Sequence, residues 1–164
     1  MRAGVSKSLT SSETVKMDSA MGSFTLHKTS VKAAVFLAGG IGITPFFSIA
    51  KQADHDQLPH SVYLFYSNRR PEDAPFLEIL ETLQKTNSHF RFVGTMTAMP
   101  LSKKTWDGET GLIDKAMLSR YLSDLQGPIY YIAGPPAMVT DMRKMLVASS
   151  IDEDDIRTEE FSGY

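Results

Sequence analysis

Three glycines lie close together in "AAVFLAGGIGITPFFSIA", the stretch that covers residues 33–50. Gly39, Gly40 and Gly42 follow an apolar run and precede a threonine and a proline. Glycine inside regular structure costs roughly 0.5–1 kcal/mol relative to alanine, so a cluster usually means that something approaches the backbone closely. The start of a helix offers free N–H donors and a partial positive charge, which suit a phosphate group.

The spacing of these glycines matches neither the G-x-G-x-x-G dinucleotide fingerprint nor a P-loop, which needs Gly-Lys-Ser/Thr. Taken alone, the loop is as consistent with a tight strand-to-helix turn as with a binding site. The segment "YIAGPPAMV" repeats the design, because an apolar run ends at Gly134 and two prolines follow. In an open α/β sheet, ligands bind between two such strand ends. The agreement of the two loops therefore favours a binding site.

A third polar segment, "YSNRRPED", supplies Ser67, Arg69 and Arg70 at the end of another apolar run. In a nucleotide-binding fold this position commonly meets the adenosine ribose. Arginine binds phosphate bidentately, so these residues could recognise a 2′-phosphate and favour NADPH over NADH. The alternative is that one or both arginines are simply solvated.

Few other residues have types or spacings that indicate chemistry. The chain has no cysteine, which excludes disulfides, thiolate metal sites and a cysteine nucleophile. The four histidines are scattered, and none lies at a metal-ligand spacing from another. We therefore expect no metal site and no catalytic side chain. The methionines at helical spacing between residues 138 and 145 are expected to belong to the core rather than to a cofactor site.

Alternating apolar runs must position these loops. Five of them predict strands, namely "AAVFLA", "SVYLFYS", "HFRFVGT", "PIYYIAG" and "DIRTEEF". Three are almost continuously apolar, as in parallel strands that are covered on both faces. Helices are expected between them, starting at Thr44 as N-cap with Pro45 as first helical residue, at Asp73, at Asp114 and after Pro135-Pro136. We predict an α/β fold with a doubly wound five-stranded parallel sheet of order 3-2-1-4-5 and helices on both faces.

The composition narrows the class of protein further. A length of 164 residues suits one domain with a real core, and a net charge of −2 argues against nucleic-acid binding. No stretch is long and apolar enough for a membrane segment, so a cytoplasmic protein is expected. Residues 1–30 are rich in Ser and Thr and contain one candidate strand, "SFTL". Residues 96–111 form the one long loop, in which Trp106 is either a lid element or a packing anchor.

Four motifs, "VFLAGGIGITPFFSI", "YSNRRPEDAPFLEIL", "YIAGPPAMV" and "EEFSGY", resemble in sequence and order the NAD(P)H-binding domain of ferredoxin–NADP reductase-like flavoproteins. The resemblance covers about residues 20–164. It implies that NAD or NADP binds along three segments and that an aromatic residue covers a flavin ring. The implied residues are Gly39, Gly40, Ile41, Gly42, Ile43, Thr44 and Pro45 for the pyrophosphate and nicotinamide, Ser67, Arg69 and Arg70 for the adenosine, Gly134, Pro135, Pro136 and Met138 beside the nicotinamide, and Phe161, with Tyr164 second, for the flavin.

The resemblance also implies an activity. Members of this family pass hydride from NAD(P)H to FAD or FMN, and electrons go on to a ferredoxin, a haem protein or an iron–sulfur centre. Many members have a cysteine where this chain has Ala133, so no thiol assists at that point. The chain is thus expected to be an NAD(P)H-dependent flavin oxidoreductase.

A second implication concerns the division into domains. Residues 31–164 correspond to the NAD(P)H-binding domain, whereas residues 1–30 resemble only the tail and last strand of the flavin-binding barrel. In that tail Gly4, Val5 and Ser6 stand at the positions that hold the flavin pyrophosphate. The barrel's Arg-x-Tyr-Ser/Thr motif is missing. The alternative is therefore a non-catalytic nucleotide-binding module or subunit that has lost flavin binding, and a third possibility is an unrelated α/β fold whose glycine loop is only structural.

Overall fold

A computed structural model describes residues 24–161, which form one parallel sheet with helices on both faces. The strands are β1 (Ala34–Gly39), β2 (Val62–Asn68), β3 (Phe90–Met96), β4 (Glu109–Thr110), β5 (Ile129–Gly134) and β6 (Ile156–Glu160). The α-helices are α1 (Ile43–His55), α2 (Leu77–Thr86), α3 (Lys115–Tyr121) and α4 (Pro136–Ala148). The α/β class predicted from the sequence is confirmed.

The strand order is β4-β3-β2-β1-β5-β6, and every pair is parallel. The predicted order 3-2-1-4-5 is confirmed for the five longer strands, but the predicted number of strands is wrong, because β4 adds a sixth at the edge. β4 pairs only two residues with β3, which is too short for a periodic pattern in the sequence. The Trp106 indole N–H donates to the Glu109 carbonyl at 2.8 Å and the ring packs over Gly94, so Trp106 anchors this edge.

Alternate residues of each strand enter two separate cores. On one face Phe36, Tyr66 and Tyr131 pack beneath α1 and α2. On the other face Leu37 and Phe65, with their neighbours in the sheet, pack beneath α3 and α4. Each fully buried large apolar side chain contributes roughly 1.5–3 kcal/mol, so both faces stabilise the fold and the central strands must be apolar throughout.

The first helix begins earlier than the sequence predicts. α1 starts at Ile43 with Gly42 as N-cap, so Thr44 is not the cap. The Thr44 hydroxyl instead donates to the Ile41 carbonyl at 2.8 Å. Pro45 is the third helical residue, where it is still tolerated because the N–H groups of a first turn have no helical partner.

The predicted start of α2 is also wrong. Asp73 ends a short 3-10 turn, Pro71–Asp73, and its carboxylate binds Arg70 rather than the free N–H groups of a helix. α2 begins only at Leu77, after Phe76 in a left-handed conformation with φ +63°. The Phe76 ring stacks on Phe47 with centroids 4.2 Å apart.

The spacing of Phe76, Ile79, Leu80 and Leu83 predicts a helix with one buried apolar face. Leu80 and Leu83 are buried, but Phe76 and Ile79 are exposed. The helix therefore buries a narrower face than its apolar residues suggest.

The other two helix starts are confirmed. The Asp114 carboxylate accepts a hydrogen bond from the Met117 backbone N–H at 2.7 Å and caps α3. Pro136 is the first residue of α4, the position at which proline's missing N–H costs nothing. The predicted last strand is present as β6.

The described part of the candidate strand "SFTL", residues 24–26, lies outside the sheet. Side chains hold this segment instead, because Phe24 contacts Phe46 and Tyr131, and Arg157 donates to the Thr25 carbonyl. Phe24 and Leu26 pack against the α1 and α2 core, although the sequence-based division places them in the first unit.

A buried histidine secures the same segment. The Tyr131 hydroxyl accepts from the His27 backbone N–H at 2.9 Å and from Arg157 at 3.1 Å, and lies 3.0 Å from His27 Nδ1. His27 Nε2 lies 2.8 Å from the Lys32 carbonyl, which only accepts. These partners assign the proton to Nε2 and make Nδ1 the acceptor of the tyrosine hydroxyl, so His27 is neutral.

No helix within residues 24–161 is long and apolar enough to cross a membrane. The same residues contain no group of three or more His, Asp or Glu side chains placed to hold a metal ion.

The neutral state of His27 predicts a pH-dependent stability. Burial lowers the pKa of His27 from its ordinary value of 6.5. The hydrogen bond to the Lys32 carbonyl raises this pKa in part, whereas the nearby charges of His60, Arg157 and Lys32 lower it further. The unfolded chain then binds more protons than the folded one below about pH 6.5, so the free energy of unfolding should fall as the pH drops through that value.

Urea denaturation at pH 7.5, 6.5 and 5.5 measures this dependence. His27→Gln should show a flatter pH dependence than the wild type, whereas His89→Gln, at an exposed histidine, should not. An equally steep dependence in His27→Gln would contradict the role given to this side chain.

Candidate functional site

A cleft of about 950 Å³ opens at the carboxyl edge of the sheet, alongside α4. Its walls come from the ends of β1, β2 and β3, from the segment before α3, and from the first three turns of α4. The lining residues are Gly39, Gly40, Ser67, Asn68, Arg69, Arg70, Asp73, Thr97, Leu112, Ile113, Asp114, Pro135, Met138, Asp141, Met142 and Met145.

The topology places the cleft at a switch point of the sheet. β1 leads into α1 on one face, and its neighbour β5 leads into α4 on the other. Two adjacent strands with crossovers to opposite faces leave a crevice at their carboxyl ends, where ligands bind in open α/β sheets. Gly39 and Gly134 are the last residues of these strands, and a Cβ on Gly134 would lie 3.3 Å from the Gly39 Cα.

Gly40 and Gly42 are glycines for different physical reasons. Gly40 adopts a positive φ of +53° with open space beside it, so its backbone is exposed to the cleft. A Cβ on Gly42 would instead overlap the Ala133 carbonyl and lie 2.7 Å from the Gly134 nitrogen. Gly42 is therefore required by packing against β5, while Gly40 is available to a ligand.

Of the fifteen described residues that the sequence implies, the structure brings seven into the cleft. Those that line it are Gly39, Gly40, Ser67, Arg69, Arg70, Pro135 and Met138. Those that lie beside it without lining it are Ile41, Gly42, Ile43, Thr44, Pro45, Gly134 and Pro136. Gly4, Val5, Ser6 and Tyr164 lie outside the described residues.

Phe161 lies at the same edge on the other face of the sheet. Its backbone N–H donates to the Gly134 carbonyl at 3.0 Å, and its half-buried ring packs against the core that holds Ile43 and Phe46. The aromatic residue thus adjoins the Gly-Pro-Pro loop, but its ring faces away from the α4 side of the cleft.

One of the two arginines is held by an ion pair. Arg70 donates to both carboxylate oxygens of Asp73, at 2.8 Å each. This hydrogen bonding raises the pKa of Arg70 and lowers the pKa of Asp73. Arg69 is exposed and has no ion-pair partner within residues 24–161.

The methionines of α4 pack against the core, as predicted, and they also line the cleft. Met138, Met142 and Met145 are half-buried, contact the α3 and α4 core on one side and line the cleft on the other. With Leu112 and Ile113 they make one wall of the cleft apolar. The opposite wall, at the ends of β2 and β3, is polar, so the cleft suits a ligand with both apolar and charged parts.

Sequence reasoning missed Asp141, Thr97 and the segment before α3. One signal was present, because Asp141 lies within the methionine stripe of α4 at helical spacing. A stripe that faced only the core would not hold a carboxylate.

Comparisons with known proteins agree with this geometry. Residues 36–144 match the model of one protein family, the oxidoreductase NAD-binding domain. A subunit of the Na(+)-translocating NADH-quinone reductase of Pasteurella multocida is 29% identical over 160 residues, which are 95% of this chain and 39% of that protein. The chain thus spans about two fifths of the length of this relative.

Solved structures show the same fold. An Amycolatopsis cytochrome P450 reductase superposes with a TM-score of 0.73 at 23% identity, over 87% of this chain and 42% of that one. A ferredoxin NADP+ reductase from Neisseria gonorrhoeae, solved with bound FAD and NADP, gives a TM-score of 0.62 at 26% identity, over 79% of this chain and 56% of that one.

The two glycine roles predict different costs of substitution. Gly40→Ala should lower the free energy of unfolding by about 1–2 kcal/mol, the cost of a left-handed conformation for alanine. Gly42→Ala should cost about 3 kcal/mol or more, because its Cβ displaces the backbone of β5. Chemical denaturation of both variants measures the difference. Equal costs would contradict the packing role of Gly42.

Proposed function

The chain belongs to the oxidoreductase NAD-binding domain family, as its resemblance to ferredoxin–NADP reductase-like flavoproteins predicted, and we propose that its cleft binds a nicotinamide nucleotide. The observation that best supports this is the pairing of the glycine loop with the Gly-Pro-Pro loop at the switch point. A volume of about 950 Å³ lies within the range of small-molecule and cofactor sites.

Each wall of the cleft would bind one part of the nucleotide. The backbone N–H groups around Gly40, ahead of α1, would receive the pyrophosphate. Pro135 and Met138 would flank the nicotinamide ring. Ser67 and Arg69 at the end of β2 would contact the adenosine half, and the apolar wall of α4 would cover the adenine.

The proposed activity is hydride transfer from NAD(P)H. FAD or FMN, when bound, would supply the electron-accepting chemistry that links the nucleotide to a ferredoxin, a haem protein or an iron–sulfur centre. Phe161 would cover the flavin ring, and its backbone hydrogen bond to Gly134, at the carboxyl edge of the sheet, supports this role. The protein's own residues would orient the nicotinamide and exclude water, and no acid–base side chain is needed.

A second candidate function is nucleotide binding without turnover. Within residues 24–161 sixteen residues line the proposed nucleotide cleft, whereas Phe161 is the one candidate for a flavin contact. Mixing the protein with FAD and NADH or NADPH without oxygen, and following flavin absorbance, separates the two candidates. Bleaching supports the oxidoreductase. A nucleotide complex without bleaching supports the non-catalytic module.

Calorimetric titration with NADH, NADPH and ADP-ribose tests the binding site itself. Met142→Asp places a carboxylate on the apolar wall of the cleft and should weaken binding of all three at least about tenfold. Thr140→Asp is the matched control, since Thr140 is exposed on the same helix and does not line the cleft. If the wild type binds none of the three ligands, the glycine loop is only structural and the proposal is wrong.

A further inference from the structure

The cleft contains more carboxylates than guanidinium groups, which disfavours a nucleotide that carries an additional phosphate on its adenosine half. Three carboxylates, Asp73, Asp114 and Asp141, share the cleft with two guanidinium groups, Arg69 and Arg70. Ser67 and the two arginines at the end of β2, taken without these carboxylates, predict a site for a 2′-phosphate.

Two of the carboxylates are already engaged. The Asp73 carboxylate accepts hydrogen bonds from Arg70 Nε and Nη2, so the positive charge of Arg70 is neutralised by this ion pair. Asp114 accepts the Met117 N–H at the start of α3. Arg69 is then the one guanidinium group of the described cleft without a carboxylate partner.

Asp141 differs from the other two carboxylates. It is exposed on α4, and no residue within the described range donates a hydrogen bond to it or forms an ion pair with it. It lies one helical turn beyond Met138 and next to Met142, both of which line the cleft. Since Pro135 and Met138 are proposed to flank the nicotinamide, the wall around Asp141 faces the other half of the nucleotide.

We infer that Asp141 makes this chain selective for NADH over NADPH, an inference that rests on the proposed nucleotide binding and names which nucleotide the site takes. A free carboxylate accepts hydrogen bonds from a ribose diol, the role that acidic residues take in other dinucleotide sites. A 2′-phosphate would replace a hydroxyl donor with nearly two negative charges and acceptor oxygens only. It would lose the hydrogen bond and be repelled.

Binding constants for ADP-ribose and 2′-phospho-ADP-ribose, and for NADH and NADPH, test this inference. The wild type should bind the ligand without the 2′-phosphate at least about tenfold more tightly in both pairs. Asp141→Asn keeps the shape of the side chain and should tighten the phosphorylated ligands at least about fivefold. Asp154→Asn removes the same charge near the start of β6, outside the cleft, and should change neither ratio.

The salt dependence provides a second measurement. The preference for the unphosphorylated ligand should shrink as ionic strength rises, since repulsion between exposed charges is screened. Equal or tighter binding of NADPH by the wild type would overturn the inference while the proposed function stands. An unchanged ratio in Asp141→Asn would overturn the role of this residue. If none of the four ligands binds, the proposed function fails and the inference with it.

Discussion

The close approach of the ends of β1 and β5 is the constraint on which the rest of the site depends. No side chain separates Gly39 from Gly134, and Gly42 lies against the backbone of β5. This contact allows two neighbouring strands to turn to opposite faces of the sheet within a few residues. The turn leaves a crevice whose floor is backbone rather than side chain. A ligand can then contact main-chain N–H groups directly, which a loop of larger residues would prevent.

The cleft is supported by a sheet that is buried on both faces. β1 and β5 are buried along their whole length, and each pairs with a strand on both sides, so their polar backbone groups are satisfied within the sheet. The residues that line the cleft lie at strand ends, in the loops that follow them and in the first three turns of α4, at the edge where the strands end. The same helix contributes to the core through Val139 and to the cleft through Met138. One helix thus serves both the core and the cleft, and its methionines contact both.

The segment that leads into the sheet is fixed by polar contacts rather than by strand pairing. Tyr131 joins the His27 segment, β5 and Arg157 of β6 through one hydroxyl group. Since Tyr131 also belongs to the core beneath α1, this network connects the entry of the chain to the strand that ends in the Gly-Pro-Pro loop. The network therefore holds the described segment before β1 against β5 and β6.

The sequence by itself determined the fold class, the order of the five longer strands and two of the four helix starts. The fold class and the helix starts follow from local patterns, since apolar runs identify buried strands, and Asp114 and Pro136 act on the residues beside them. The strand order follows from the doubly wound topology that alternating strands and helices predict. Only the tertiary structure decided the rest. β4 exists because Trp106 and β3 hold two residues in register. The charge of Arg70 is balanced by the carboxylate of Asp73, which the sequence pattern predicts to be a helix cap. Gly42 needs its missing side chain because of Ala133, some ninety residues away, and the methionines of α4 line a cleft whose other walls are equally remote in sequence. Such roles depend on distances between segments, and no local pattern of residues contains them.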